Sequence, residues 1–108
     1  MEKVMTTSKF RRYSTEKLCG CVCLIDHYPE EEGYRQPAPH GVFVYYPKII
    51  KEAPTSHESV RAMRREARDL NKQWKEGPDY QRQVAEVKEF YRILNIVTLK
   101  YRNISTPD

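Results

Sequence analysis

The chain contains 108 residues, 39% of them apolar and 31% charged, with a formal net charge of +4. This length and composition predict a single small globular domain, and no stretch approaches the ~18 uninterrupted apolar residues that a transmembrane helix needs. The positive charge favours an acidic partner, such as nucleic acid, anionic lipid or an acidic protein surface.

The first fourteen residues lack a repeating apolar face, so residues 1–14 predict a flexible basic arm in front of one domain over residues 15–108. The charges of this arm are Lys3, Lys9, Arg11 and Arg12 against the single Glu2. Because such an arm can lie along phosphates or an acidic groove, Arg11 and Arg12 are candidate partner-binding residues. The run from Arg11 to Ser14 also resembles the end of a mitochondrial targeting segment, which makes a small mitochondrial assembly subunit an alternative interpretation.

Two apolar runs predict β-strands, at residues 17–28 and residues 41–46. Gly20 lies inside the first run and predicts a bulge there. The intervening segment is rich in proline, glycine and glutamate, which predicts a long exposed loop. We therefore expect the two runs to form an antiparallel pair, and such a pair must pack on other elements to be stable in water.

Three cysteines alternate within the first run, at Cys19, Cys21 and Cys23. Thiols this close cannot form a secreted disulfide framework, which predicts an intracellular and most simply cytoplasmic protein. The favoured interpretation is that they are buried as small apolar residues, and no cofactor is expected. One alternative is a thiol-based metal-binding or redox module in which His27 or His40 completes a metal site. Another is acylation of the clustered thiols beside a basic segment.

Residues 47–54 predict a linker that Ile49 and Ile50 anchor to the core. A capping box follows, in which Thr55 caps a helix and Glu58 reaches back to it. The first helix is therefore predicted over residues 56–76.

A second helix is predicted over residues 79–101, after Gly77 and Pro78 break the first one. Both helices carry an apolar stripe at alternating spacings of three and four. Its members are Val60, Met63, Ala67, Leu70 and Trp74 in the first helix, and Tyr80, Val84, Val87, Tyr91, Leu94, Thr98 and Tyr101 in the second, where Phe90, Ile93 and Val97 broaden the stripe. These patterns predict an α+β fold: an N-terminal antiparallel strand pair packed on a C-terminal antiparallel helical hairpin. The stripes are wider than a two-helix contact needs, so we expect the surplus to cover the strands, a partner protein or a second copy.

The polar side of the first helix carries a row of cations. At 100° per residue these side chains fall within an arc of roughly 80°; they are Arg61, Arg65, Arg68, Lys72 and Lys75. Like charges four residues apart repel each other, and the planar arginine side chain suits carboxylates and phosphates. The row therefore predicts a binding surface for an acidic partner. The alternative is an ordinary solvated face, with flanking pairs such as Arg65–Asp69 reducing the repulsion.

No set of catalytic residues stands out in the sequence. Asp26 and His27 are adjacent, and neighbours in a strand point to opposite faces. The sequence therefore predicts a non-enzymatic interaction protein or complex subunit that docks an acidic protein surface or nucleic acid through the basic row.

Overall fold

The structure is a computed structural model that describes the backbone of residues 10–105 and the side chains of residues 10–99. It confirms the predicted α+β class, with antiparallel strands in two sheets followed by two long helices that pack against them. The strands are β1 (Tyr13–Leu18), β2 (Cys21–Asp26), β3 (Arg35–Ala38), β4 (Val42–Tyr45) and β5 (Lys48–Pro54), and the helices are α1 (His57–Glu76) and α2 (Tyr80–Ser105).

The first predicted strand is in fact a hairpin. β1 and β2 pair antiparallel in a register that places Leu18 opposite Cys21. The two residues between the strands, Cys19 and Gly20, both have positive φ, at 50° and 80°. Two consecutive positive φ angles are typical of the tight hairpin turn whose twist matches that of the strands. The prediction of one strand with a bulge at Gly20 is corrected, since the chain reverses there.

The strand order of the two sheets also differs from the predicted pair. β2 is the central strand of a three-stranded sheet, between β1 and β5, and β3 pairs with β4 in a separate sheet. The two apolar runs therefore do not pair with each other. The predicted linker is β5, an edge strand, and its Ile49 and Ile50 are exposed instead of anchored in the core.

The first helix follows its predicted bounds closely. Ser56, not Thr55, is the N-cap, because the Ser56 hydroxyl accepts a hydrogen bond from the Ser59 backbone N–H at 3.0 Å. Met63 and Ala67 pack with Val22 and Leu24 of β2, which places the predicted apolar face of α1 on the three-stranded sheet.

The second helix packs along only part of its length. Val84 and Val87 join Trp74 and Phe10 in a second buried cluster, with Tyr28 and Tyr45 at its edge. α2 also lies on β4, whereas the two helices share few contacts with each other. From Tyr91 to Leu99 the apolar residues of α2 are largely exposed, although the sequence continues the stripe.

One buried glutamine joins the elements where the two helices meet. Gln83 is fully buried, and its Oε1 accepts a hydrogen bond from Trp74 Nε1 at 2.7 Å. Its Nε2 donates to the Tyr28 carbonyl oxygen at 3.0 Å and also to the Glu30 carboxylate. Through these hydrogen bonds, the fully buried Gln83 links α1, α2 and the segment that follows β2.

The last part of the predicted arm belongs to the fold. Phe10 is only 3% exposed, and Tyr13 and Ser14 begin β1. Because the neighbours of Phe10 are charged, the sequence does not indicate that its side chain is buried in the core. Residues 1–9 lie outside the described part of the chain. Within residues 10–105, no helix has the combination of length and apolar character that crossing a membrane requires.

Candidate functional site

The predicted basic row borders a groove between α1 and β1. Asn71 of α1 attaches the strand to the helix, because its Oδ1 accepts hydrogen bonds from the backbone N–H groups of Arg12 and Tyr13 at 3.0 and 2.9 Å. Its Nδ2 donates in return to the Tyr13 carbonyl oxygen at 2.9 Å. The side-chain amide of Asn71 thus makes the hydrogen bonds that the backbone of a neighbouring strand would make. As a result, the edge of β1 lies beside the cations of the helix.

We call this cavity the basic groove; its volume is about 630 Å³. Five cationic side chains line it, together with the hydroxyl groups of Tyr13, Ser14 and Thr15, and none of the described lining residues carries a carboxylate. The cations are Arg11, Arg64, Arg68, Lys72 and Lys75. Several like charges around one concave surface raise the local concentration of anionic groups.

The five groove cations are exposed, and none of them forms a salt bridge with another described residue. In the described part of the chain, the salt bridges join other pairs, such as Lys51 to Glu66 at 2.8 Å and Arg35 to Glu86 at 2.5 Å. The expected softening pair Arg65–Asp69 is not among them, and Glu66 pairs away from the row. Among the described residues, the ordinary solvated face of the alternative interpretation therefore lacks its flanking pair Arg65–Asp69.

The structure divides the predicted binding residues into three groups, the last of which is Arg12, paired within the fold. Arg68, Lys72, Lys75 and Arg11 line the basic groove. Arg61 and Arg65 are exposed on α1 but do not line it. Arg64, which the sequence analysis missed, takes part instead.

The helix geometry explains this division. β1 crosses α1 beside Ala67 and Asn71, so the groove lies on one flank of the cationic row and not at its centre. At 100° per residue, Arg64 projects on that flank and Arg65 on the opposite edge. Only the position of β1 could have distinguished these neighbouring arginines.

The side chain of Arg12 binds within the fold and not at the surface of the basic groove. Its Nε and Nη2 donate to the two carboxylate oxygens of Asp26 at 2.8 and 3.1 Å. Burial on its own would lower the pKa of Arg12, but the hydrogen bonds to Asp26 and the negative charges nearby, first that of Asp26, together outweigh it and the pKa is raised. Asp26 also accepts from the Tyr28 backbone N–H at 3.0 Å. The prediction of Arg12 as a surface contact is therefore corrected.

A second cavity of about 380 Å³ lies next to the basic groove, and we call it the apolar groove. Aromatic and aliphatic side chains dominate its walls: Phe10, Tyr28, Phe43, Tyr45, Phe90 and Tyr91. Burial, followed by the nearby phenols of Tyr91 and Tyr45, raises the pKa of Tyr28 to about 12. Tyr28 is therefore a neutral hydrogen-bonding and packing group at any physiological pH.

Ser14 and His27 form a contact in the apolar groove that the sequence did not indicate. Ser14 Oγ and His27 Nε2 lie 2.6 Å apart, at the end of the β1–β2 ladder. A serine nucleophile also needs its histidine oriented by a third group. The neighbouring Asp26 carboxylate binds Arg12 and the Tyr28 N–H instead. The contact therefore joins the ends of the two strands.

The cysteines occupy three different environments: Cys19 is exposed in the turn, Cys21 is half-buried and Cys23 is buried. Desolvation, followed by the nearby charge of Glu52, raises the pKa of the Cys23 thiol, which disfavours the thiolate that binds metals. No group of three or more His, Cys, Asp or Glu side chains in the described part of the chain is placed to hold a metal ion. The weak metal candidates, Cys19, Cys21, Cys23, His27 and His40, are thus not brought together.

Comparison with known proteins returned no match, whether to a family model, a curated protein or a solved structure.

Proposed function

We propose that this protein is a non-enzymatic interaction protein that docks onto an acidic segment of a protein partner through the basic groove. The observation that carries the proposal is a set of five cations around one cavity: they form no salt bridge within the described part of the chain, and no described residue of the lining carries a carboxylate. Exposed ion pairs contribute little to stability, and neighbouring like charges lower the stability because they repel each other. A folded chain that keeps them together gains from them only when an anion binds.

Two features favour an acidic protein segment over nucleic acid. Proteins that bind single strands offer aromatic rings on which bases stack. Tyr13 is the one aromatic residue in the basic groove, and it packs against both buried clusters. The exposed apolar stripe at the end of α2 is suited to contact with apolar side chains of another protein, whereas it offers no favourable contact to phosphate groups.

The decisive experiment compares two double charge reversals in the same helix. R68E/K72E changes two cations of the basic groove, whereas R61E/R65E changes the net charge equally at positions outside it. Binding of a fluorescent poly-glutamate peptide is measured by anisotropy for both variants and for the wild type. We expect R68E/K72E to weaken binding by about tenfold or more, as the loss of ~1.4 kcal/mol requires, and R61E/R65E to remain within about threefold.

The same titration includes RNA and DNA of mixed sequence over a range of salt concentrations. If nucleic acid binds in preference to the peptide, with a log–log salt slope of about −0.7 to −0.9 per phosphate contacted, the groove is a nucleic-acid surface and the protein proposal fails. If neither ligand binds, or if both variants lose binding equally, the groove has no role in docking.

A further inference from the structure

The apolar groove opens onto the exposed part of α2. Phe90 and Tyr91 form one of its walls, and the stripe continues along the helix at Leu94 and Val97, which are 42% and 41% exposed. Spacings of three and four keep Phe90, Leu94 and Val97 on one face of the helix. No described residue of the chain covers this face beyond Tyr91.

The apolar groove and the basic groove form one continuous surface. Arg11 and Ser14 line both cavities, so the two grooves adjoin at the start of β1 and the segment before it. A bound segment that leaves the basic groove across Ser14 enters the apolar groove directly. An extended peptide spans up to ~3.3–3.6 Å per residue, so a few residues bridge the two.

The charge of this region selects the kind of partner. Residues 91–105 contain Arg92, Lys100 and Arg102 but neither aspartate nor glutamate, and of the three cations Arg92 is paired with Glu89. Two copies of the chain packed stripe against stripe would bring like charges together. A partner that carries carboxylates beside its apolar residues matches both the stripe and its border.

We infer that the apolar groove and the stripe bind apolar anchor residues of the same acidic segment that occupies the basic groove. The partner is thus a protein segment with a run of Asp or Glu followed or preceded by aromatic or aliphatic side chains. This inference rests on the proposed function for its acidic half. Its apolar half rests on the shape and exposure of the apolar groove and stripe.

A random-peptide display library tests the inference with the full chain as bait. Selections are run on the wild type, on R68E/K72E and on L94Q/V97Q, which removes apolar surface without changing charge. I49Q/I50Q is the matched control, because Ile49 and Ile50 are equally exposed apolar residues on β5, 45% and 42%. Each selected peptide is then resynthesised and titrated against all four proteins.

We expect peptides selected on the wild type to be enriched in both acidic and apolar residues. Selection on L94Q/V97Q should keep the acidic enrichment and lose the apolar one, and the wild-type peptides should bind this variant about tenfold more weakly. I49Q/I50Q should bind them within about threefold of the wild type. R68E/K72E should lose the acidic enrichment and keep the apolar one.

Acidic enrichment without apolar enrichment on the wild type overturns this inference and leaves the proposed function intact. Apolar enrichment without acidic enrichment overturns the proposed function and the pairing of the two grooves. Light scattering that shows a dimer dissociated by L94Q/V97Q assigns the stripe to a second copy and also overturns the inference. Binding to phosphatidylcholine–phosphatidylglycerol vesicles that this variant abolishes assigns the stripe to a lipid surface, with the same consequence.

Discussion

The two halves of α2 carry the same apolar stripe and differ in what covers it. In the first half, Val84 and Val87 are buried and Gln83 is fully enclosed. In the second half, Leu94 and Val97 lie about two and three turns beyond Val87 and are exposed. Periodicity therefore predicts that a helix has an apolar face, but the contacts of the other elements decide which part of that face serves the fold. The packed half stabilises the fold, and the open half is the part that we propose for binding.

The largest expected effect of the packed half concerns its buried glutamine. Gln83→Leu leaves Trp74 Nε1 and the Tyr28 carbonyl oxygen without their partner, and we expect a loss of about 2–4 kcal/mol in the free energy of unfolding. Urea unfolding followed by the fluorescence of Trp74, the single tryptophan, measures it. The control is Gln81→Leu at the exposed neighbouring position, which should change stability by less than about 0.5 kcal/mol. Equal effects at both positions would contradict the role of the buried hydrogen bonds.

The next effect compares the same substitution in the two halves. Val84→Ala removes buried methyl groups and should destabilise the protein by about 1–2.5 kcal/mol, because a cavity adds to the lost burial. Val97→Ala should cost less than about 0.5 kcal/mol, since its side chain already contacts water. The same urea titration measures both. A cost at Val97 as large as that at Val84 would show that the second half is covered in the folded protein.

The pH dependence of stability should distinguish Glu86 from Glu89, which lie one turn apart on α2. Burial alone would raise the pKa of Glu86, but the hydrogen bonds from Arg35 and Tyr45 outweigh it and the pKa is lowered. The hydrogen bond from Arg92 lowers the pKa of Glu89 as well, although that carboxylate is exposed. A carboxyl group with a lowered pKa in the folded state stabilises above its unfolded value of about 4.3, and this stabilisation is lost as the pH falls through the folded value.

We therefore expect Glu86→Gln to reduce stability at neutral pH and to flatten its decline below about pH 4.3. Glu89→Gln should leave the stability at neutral pH and its decline in acid nearly unchanged, because water screens the exposed pair of Glu89 and Arg92. Thermal unfolding across the acidic range measures both variants. An unchanged acid transition in Glu86→Gln would mean that the clamp of Glu86 with Arg35 and Tyr45 does not hold β3 and β4 on the helix.

The smallest effect is expected in hydrogen exchange within the wild type. Amides in residues 83–90 should exchange more slowly than those in residues 92–99, because tertiary packing protects only the first half. Mass spectrometry of overlapping peptides measures the contrast. Addition of a peptide selected on the wild type should slow the second half. Uniform protection along α2 before that addition would contradict the difference between its halves.

The helices and their caps could be predicted because their signals are local. The stripe of α1 and the break at Gly77 and Pro78 place both helices within a few residues of their observed bounds. The cap shifted by one residue because Thr55 and Ser56 are both good caps and only the backbone distinguishes them. The hairpin turn was missed because cysteine is uncommon at positive φ, which asparagine and glycine usually occupy.

The site could be predicted only in part because it depends on contacts between distant residues. A charge row is visible in the sequence of α1, so Arg68, Lys72 and Lys75 were found without a structure. The side of this row on which the basic groove lies depends on the hydrogen bonds between Asn71 and β1. Nothing near Asn71 in the sequence indicates those bonds. Arg12 and Gln83 likewise have polar side chains whose burial follows from partners 14 and 55 residues away.

The central claim is that the groove, and not the general charge of the helix, binds an acidic partner. The most direct measurement is the ratio of the dissociation constants of R68E/K72E and R61E/R65E for the poly-glutamate peptide, taken at one salt concentration with equal net charge. A ratio of about ten or more is the result that the geometry of the basic groove predicts. A ratio near one would contradict it, because charge alone would then account for all of the binding.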